Sequence, residues 1–296
     1  MAREAKKKTR GIPHSASAVL RRALQGASCA LVLLGIVGAR AAAPADTGFA
    51  NFAFASELGS GIYEVDGRTL QVYQLQPSFT LRAAAPRGGR PGIHLLLPIT
   101  LGFFNFQPTD LVHLHVPTQI NALSLEPGVE LDYWLNDAWH VYPYAKGGGT
   151  FASSTQINAV IYGAGIRSDF AFHALDSSGL WRAELGYAGV HYHDSSLPND
   201  SFTRLRDGFE LRRNFSWSWR ERGVQLAPYA ITDIYFNAPS GPYSGISART
   251  VQFETGLMFG AVPMWQIHGF ELPRIGIGYR VAGVLSGWRL VLGDPF

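Results

Sequence analysis

Apolar and polar residues alternate along much of this chain. From Leu123 to Tyr133, Leu123, Leu125, Val129, Leu131 and Tyr133 share one parity while Ser124, Glu126, Gly128, Glu130 and Asp132 share the other. An extended strand turns those two sets to opposite faces, one oily and one acidic. The same pattern returns in Trp181, Ala183, Leu185 and Tyr187 against Arg182, Glu184 and Gly186. It returns again in Val251, Phe253, Thr255, Leu257 and Phe259 against Gln252, Glu254, Gly256 and Gly260, and in Ile275, Ile277, Tyr279 and Val281 against Arg274, Gly276, Gly278 and Arg280. Between Leu205 and Trp219 the apolar parity is broken by Asp207 and Arg213. Turn-forming residues punctuate these runs and predict about twelve strands, at 49–63, 68–82, 91–104, 119–134, 139–151, 155–172, 179–192, 204–219, 224–237, 248–262, 270–281 and 287–296.

Parity alone does not say which face is outside, because a soluble sandwich alternates too. Three features favour an all-β, transmembrane, antiparallel up-and-down barrel. The runs are long enough to cross the hydrocarbon at a tilt, whereas soluble strands average about five or six residues. Aromatics gather near predicted strand ends (Phe103, Phe104, Phe106; Tyr133, Trp134; Trp217, Trp219; Tyr235, Phe236), where interfacial girdles lie. Phe296 follows Trp288, Leu290 and Leu292 on one parity, like the assembly signal of outer-membrane strands, with Asp294 as the exception. The links also form a longer set, including 105–118, 193–203 and 238–247, and a shorter one, including 135–138 and 220–223. Long outer loops and short periplasmic turns have that asymmetry.

Charge sharpens the picture. Of the 25 Lys and Arg in 296 residues, eight precede residue 42, against one acid, and the remainder of the chain is net −4. A basic surface for nucleic acid is thereby excluded. The basic stretch 1–22, the apolar run Ala27–Ala39 and Ala39-Arg40-Ala41 read as a cleaved signal peptide over 1–41, so the protein is expected to be exported to the cell outer membrane. Residues 42–48 are then a short periplasmic segment and 49–296 the barrel. Cys29, the chain's one cysteine, lies in the signal, so no disulfide is expected.

Chemistry candidates are few. His191 and His193 share a strand face beside Asp194, Ser195 and Ser196; a metal site or a lipid hydrolase using His191, His193 and Ser195 is the alternative to an exposed strand end. His113 and His115 form a similar pair in a predicted outer loop. No nucleophile-elbow, zinc-protease or phosphate-loop motif occurs, and no cofactor is expected. Gly147-Gly148-Gly149 reads as a flexible loop or a barrel kink. The remaining signal is a candidate lumenal charge network: Glu126, Glu130, Asp132, Arg182, Glu184, Glu210, Arg212, Arg274, Arg280 and Arg289. Mixed signs on that face either pair across the interior or line a water-filled passage.

The segments SELGSGIYEVDGR (56–68), TLQVYQLQPSFTLR (69–82), LLPITLGFF (96–104), PGVELDY (127–133) and GIGYRVAGVLSGWRLVLGDPF (276–296) resemble the solitary outer-membrane autotransporter-like β-barrel proteins of Gram-negative bacteria. The resemblance implies a twelve-stranded, porin-like barrel akin to an autotransporter translocator. Only a few residues separate Ala41 from the first expected strand at Phe49, which argues against a passenger and a linker helix. The resemblance carries over no catalytic residues. The expected role is therefore non-enzymatic: structural, small-passage or surface-interaction. The expected partners are outer-membrane lipids, lipopolysaccharide and, during insertion, the barrel-assembly machinery, with the protein as a monomer.

Overall fold

The computed structural model describes residues 52–65, 68–85, 89–104, 122–152, 158–174, 176–193, 199–219, 222–236, 251–264, 266–267, 270–282 and 285–296. One short helix, α1 (Phe52–Leu58), precedes an antiparallel sheet. Its strands are β1 (Gly61–Val65), β2 (Arg68–Leu75), β3 (Ser78–Arg82), β4 (Gly92–Leu96), β5 (Ile99–Phe104), β6 (Ala122–Leu125), β7 (Gly128–Asn136), β8 (Trp139–Phe151) and β9 (Asn158–Ala174). The series continues with β10 (Ser177–Tyr192), β11 (Asp200–Trp219), β12 (Arg222–Tyr235), β13 (Val251–Val262), β16 (Ile275–Ala282) and β17 (Leu285–Leu292), while β14 (Gln266–Ile267) and β15 (Phe270–Glu271) form a separate hairpin. Pairing of β1 with β17 and of β8 with β9 closes the sheet on itself. Each of β2/β3, β4/β5 and β6/β7 is one interrupted stave, so the wall is a closed barrel of twelve staves. Closure removes most of the free edge that a sheet would otherwise present.

The three interruptions have one cause. They fall at Gln76-Pro77, Leu97-Pro98 and Glu126-Pro127, and a proline has no N–H to donate to a ladder. Each proline carbonyl still accepts from the next stave: Leu97 N–H bonds Pro77 O, Glu126 N–H bonds Pro98 O and Gly147 N–H bonds Pro127 O, all at 3.0 Å. The prolines therefore line up as a crease across adjacent staves. It runs into Gly147-Gly148-Gly149 of β8, where the partner strand changes from β7 to β6. The glycine run is thus a kink within a strand. A Cβ on Gly148 would lie 1.7 Å from the Leu125 carbonyl oxygen, so only glycine fits there.

The faces are inverted relative to a soluble protein. Along β16, Ile275, Ile277, Tyr279 and Val281 point outward and are exposed, while Gly276, Gly278, Arg280 and Ala282 are buried. Register carries aromatics round the outside in one paired row: Trp139, Phe170, Trp181 and Phe209 on β8 to β11, then Tyr279 and Trp288 on β16 and β17. The outward polar exceptions have local partners. Trp181 Nε1–H donates to Asp207 at 2.7 Å, and the Arg213 guanidinium lies 5.9 Å from the Phe215 ring centre.

Several expected boundaries change. The strand expected at 49–63 is half helix: Phe52–Leu58 (FAFASEL) has no β-branched residue, and its burial against β2, β9 and β10 sets it inside the barrel. The strand expected at 270–281 begins only at Ile275. Tyr235, expected in an outer girdle, faces inward and packs 5.6 Å from Phe202 and 5.8 Å from Phe54. The strand expected at 287–296 stops at Leu292. Gly293 has φ +91°, a left-handed conformation, and turns Asp294-Pro295-Phe296 into the lumen. Phe296 therefore does not continue the outward row of Trp288, Leu290 and Leu292. The expected signal peptide, residues 42–48, His113, His115, Phe106 and Ser195 lie outside the described residues.

Candidate functional site

Register decides what the lumen contains, because directly opposed residues of antiparallel strands share a face and a level. Tyr142, Arg167, Glu184, Arg206, Asp233 and Gln252 form one such inward row across β8 to β13. Opposite charges alternate along it. Arg206 grips Asp233 through Nε at 2.7 Å and a second nitrogen at 3.0 Å, a bidentate fork.

Helix α1 packs inside the lumen against β2, β9 and β10 and adds a carboxylate to this row. Its Glu57 lies 2.8 Å from Lys146 Nζ and 2.8 Å from Arg204, while Lys146 also reaches Glu126 at 3.3 Å. Arg204 continues to Glu184 at 2.8 Å, whose carboxylate also accepts the Tyr144 hydroxyl at 2.8 Å. Arg280, fully buried, bridges Asp233 at 3.1 Å and Glu254 at 2.8 Å. Glu254 then meets Arg289 at 3.0 Å and the Tyr229 hydroxyl at 2.9 Å. Removing one member would leave a buried charge without its partner, at a cost of about 3–5 kcal/mol. Burial opposes ionisation of Glu57, yet Lys146 and Arg204 beside it hold its carboxyl well below the usual carboxylate range.

A second group of charges faces the cavity near the last residues. Arg182 forks onto Asp169 at 2.6 and 2.7 Å and reaches Asp294 at 3.2 Å, with the Phe296 ring 5.1 Å from its guanidinium carbon. Arg167 pairs with Glu130 at 3.0 Å, and Asp132 meets His140 at 3.2 Å. Farther along, Glu210 holds Arg212 at 2.6 Å and Arg274 as a close pair. Between these groups lies a cavity of about 300 Å³, bordered by Glu57, Pro77, Glu130, Arg182, Arg204 and Phe296.

Apolar layers flank the ionic centre. Phe52, Ala53, Ile161, Val190, Tyr192, Phe202 and Tyr235 pack around the start of α1. Ala227, Tyr229, Ile231, Met258 and Val291 pack on Phe296. Each large apolar side chain fully withdrawn in this way contributes about 1.5–3 kcal/mol.

All ten residues singled out from the sequence face the interior, nine of them in ion pairs and Asp132 beside His140. Sequence reasoning missed Glu57, which lies on a helix where strand parity does not apply. It also passed over Lys146, Arg167, Asp169, Arg204, Arg206 and Asp233, although Lys146 is the one lysine beyond residue 41. His191 and His193 alternate with buried Val190 and Tyr192 and are exposed on the outer side, with His193 Nδ1 3.2 Å from the Asn158 carbonyl. They do not join the lumenal network. Among the described residues no group of three or more His, Cys, Asp or Glu is placed to hold a metal ion.

The fold and lumen together define a closed, inside-out, twelve-stave β-barrel filled by its own chain. No family model matches the chain, and no curated protein does. Among solved structures it is similar to the β domain of the Bordetella autotransporter BrkA, with 14% identity, 78% of this chain and 95% of that chain covered, and a TM-score of 0.47.

Proposed function

We propose that this protein is an integral outer-membrane β-barrel, exported by its N-terminal signal and inserted as a monomer by the barrel-assembly machinery, with a structural or surface-interaction role and no enzymatic one. One observation carries the reading: the apolar parity faces out on stave after stave, while the charged parity is turned inward and paired. Lipid and lipopolysaccharide are the surroundings that such an outer face requires, since water would leave it uncovered and lipid would penalise an outward arginine by about 2–4 kcal/mol at the midplane. Occupation of the lumen by α1 and residues 294–296 supports a barrel that is closed at rest rather than an open passage.

The test is fractionation followed by gel migration before and after boiling. A heat-modifiable band in the outer-membrane fraction, with little conductance in planar bilayers, is the expected result. Soluble periplasmic protein would overturn the membrane assignment, and steady open-channel conductance would overturn the closed state.

A further inference from the structure

Two segments among the described residues occupy the lumen, and they are held very differently. Helix α1 sits in the long-loop half: Phe52 packs with Tyr192, Phe202 and Tyr235, which lie at the ends of β10, β11 and β12 that the longer links join. Five of its seven residues are buried, and Glu57 enters two ion pairs whose side chains are at most 12% exposed. The last three residues enter from the other side, where β17 ends at Leu292 among the short turns. Their ion pair joins Arg182 to an Asp294 side chain that is 42% exposed. A pair so open to water is screened and contributes little. Arg289 also donates to the Pro295 carbonyl at 2.6 Å, and the Phe296 ring packs on Tyr229, Met258 and Val291 against bare Gly208, where a Cβ would meet it.

Neither arginine is stranded when these residues leave. Arg182 keeps its fork onto Asp169 at 2.6 and 2.7 Å, and Arg289 keeps Glu254 at 3.0 Å. The pivot is already in place. Gly293 N–H is tied to Arg274 O at 2.7 Å, its φ is +91°, and an added Cβ there would find only Pro273, at 4.0 Å. Phe296 N–H donates to Asp294 Oδ1 at 3.3 Å, which braces the three residues as one piece. The cavity of about 300 Å³ is shared by the two segments, since Glu57 of α1 borders it and so do Asp294 and Phe296.

We propose that Asp294-Pro295-Phe296 is a latch on this cavity: it swings out about Gly293 toward the short-turn end while α1 stays docked, and admits small polar solutes from that end alone. The charged lining, with Glu130, Arg167 and Arg182 in it, sets the class of guest. Access is one-sided because α1 still fills the long-loop half, so release of the latch makes a chamber and not a through-passage. The weaker anchorage decides which segment moves, since local opening starts where the fewest buried contacts must break. The proposal rests on the closed-barrel reading above and adds to it which of the two lumenal segments yields.

The test uses the full chain, Cys29→Ser, refolded in detergent micelles with one added cysteine and labelled by iodoacetamide, a small neutral reagent. Leu96→Cys places the thiol on the cavity border, and Ala55→Cys places it on the buried face of α1. Deleting residues 294–296 is expected to speed labelling of Leu96→Cys by about tenfold or more and to leave Ala55→Cys protected. The full-length double variant Asp294→Ala/Phe296→Ala should do the same, and it serves where the deletion does not refold. With the latch intact, molar salt should speed labelling of Leu96→Cys about threefold by screening the Asp294 pair. Equal labelling of Leu96→Cys with and without the latch, or labelling indifferent to salt, would overturn the proposal. So would exposure of Ala55→Cys on deletion, because α1 would then leave with the tail. Gel mobility of the same samples reads the barrel separately, so failure of the latch is distinct from failure of the outer-membrane reading.

Discussion

Glu57 of α1 lies 2.8 Å from the Nζ of Lys146 on β8, a contact between residues 89 positions apart that fixes the helix to the barrel wall. The pair shares partners on both sides, since Lys146 also holds Glu126 and Glu57 also holds Arg204. Removing either end should therefore cost unequal amounts. Arg204→Ala takes a partner from Glu57 and Glu184 together and is expected to destabilise by about 3–5 kcal/mol. Glu57→Gln leaves Lys146 with Glu126 and Arg204 with Glu184, so its urea midpoint should fall less, while bilayer conductance rises as α1 loosens.

Acid should act on the same contact. The folded-state pKa of Glu57 is depressed, so its contribution to stability is fully present above the ordinary carboxylate value and is lost as pH falls through the lower folded value. Helix docking should stay intact from neutral pH to about the ordinary carboxylate range and weaken only in stronger acid. Protease sensitivity near α1, followed against pH, checks the direction; loosening as pH rises from 7 to 9 would contradict it.

The glycine run offers a contrast within three residues. A Cβ on Gly148 meets the Leu125 carbonyl oxygen at 1.7 Å, whereas on Gly147 and Gly149 the nearest atoms are 3.8 and 3.6 Å away. Gly148→Ala should block the switch of β8 between β7 and β6 and abolish the heat-modifiable band. Gly147→Ala and Gly149→Ala should retain it.

Inward placement of the last residues is testable by probes of environment. A spin label at Leu290→Cys should be accessible to oxygen dissolved in lipid, and a label at Phe296→Cys should not. Phe296→Ala, which empties a half-buried site against Tyr229, Met258 and Val291, is expected to cost about 1–2 kcal/mol.

Outward positions should reject charge. Ile277→Arg on β16 is expected to destabilise the lipid-inserted barrel by about 2–4 kcal/mol, measured as a fall in the temperature at which gel mobility changes. In detergent that leaves the position in contact with water the penalty should shrink.

Alternation from Leu123 to Tyr133 and from Ile275 to Val281 was enough to assign strands and to sort their residues into two faces, because the side-chain period of a strand is a local property. The ten charged residues were legible for the same reason: each occupies the parity opposite the oily one of its neighbours. The prolines at 77, 98 and 127 were visible too, but their alignment into one crease was not, since it depends on the register of staves far apart in sequence.

What the tertiary structure alone decided is how the two ends of the barrel domain are used. Phe52, Phe54, Leu58 and Phe296 satisfy strand parity as well as a lumenal packing role, and local pattern cannot choose between them. The choice is made by Glu57 meeting Lys146 and Arg204, and by Asp294 meeting Arg182. Had the last strand run on, Asp294 would share the outward parity of Leu290 and Leu292 and meet lipid. Sequence determined the strands and their faces because both follow from neighbouring residues; the filled lumen follows from ion pairs between distant ones, which only the closed barrel brings together.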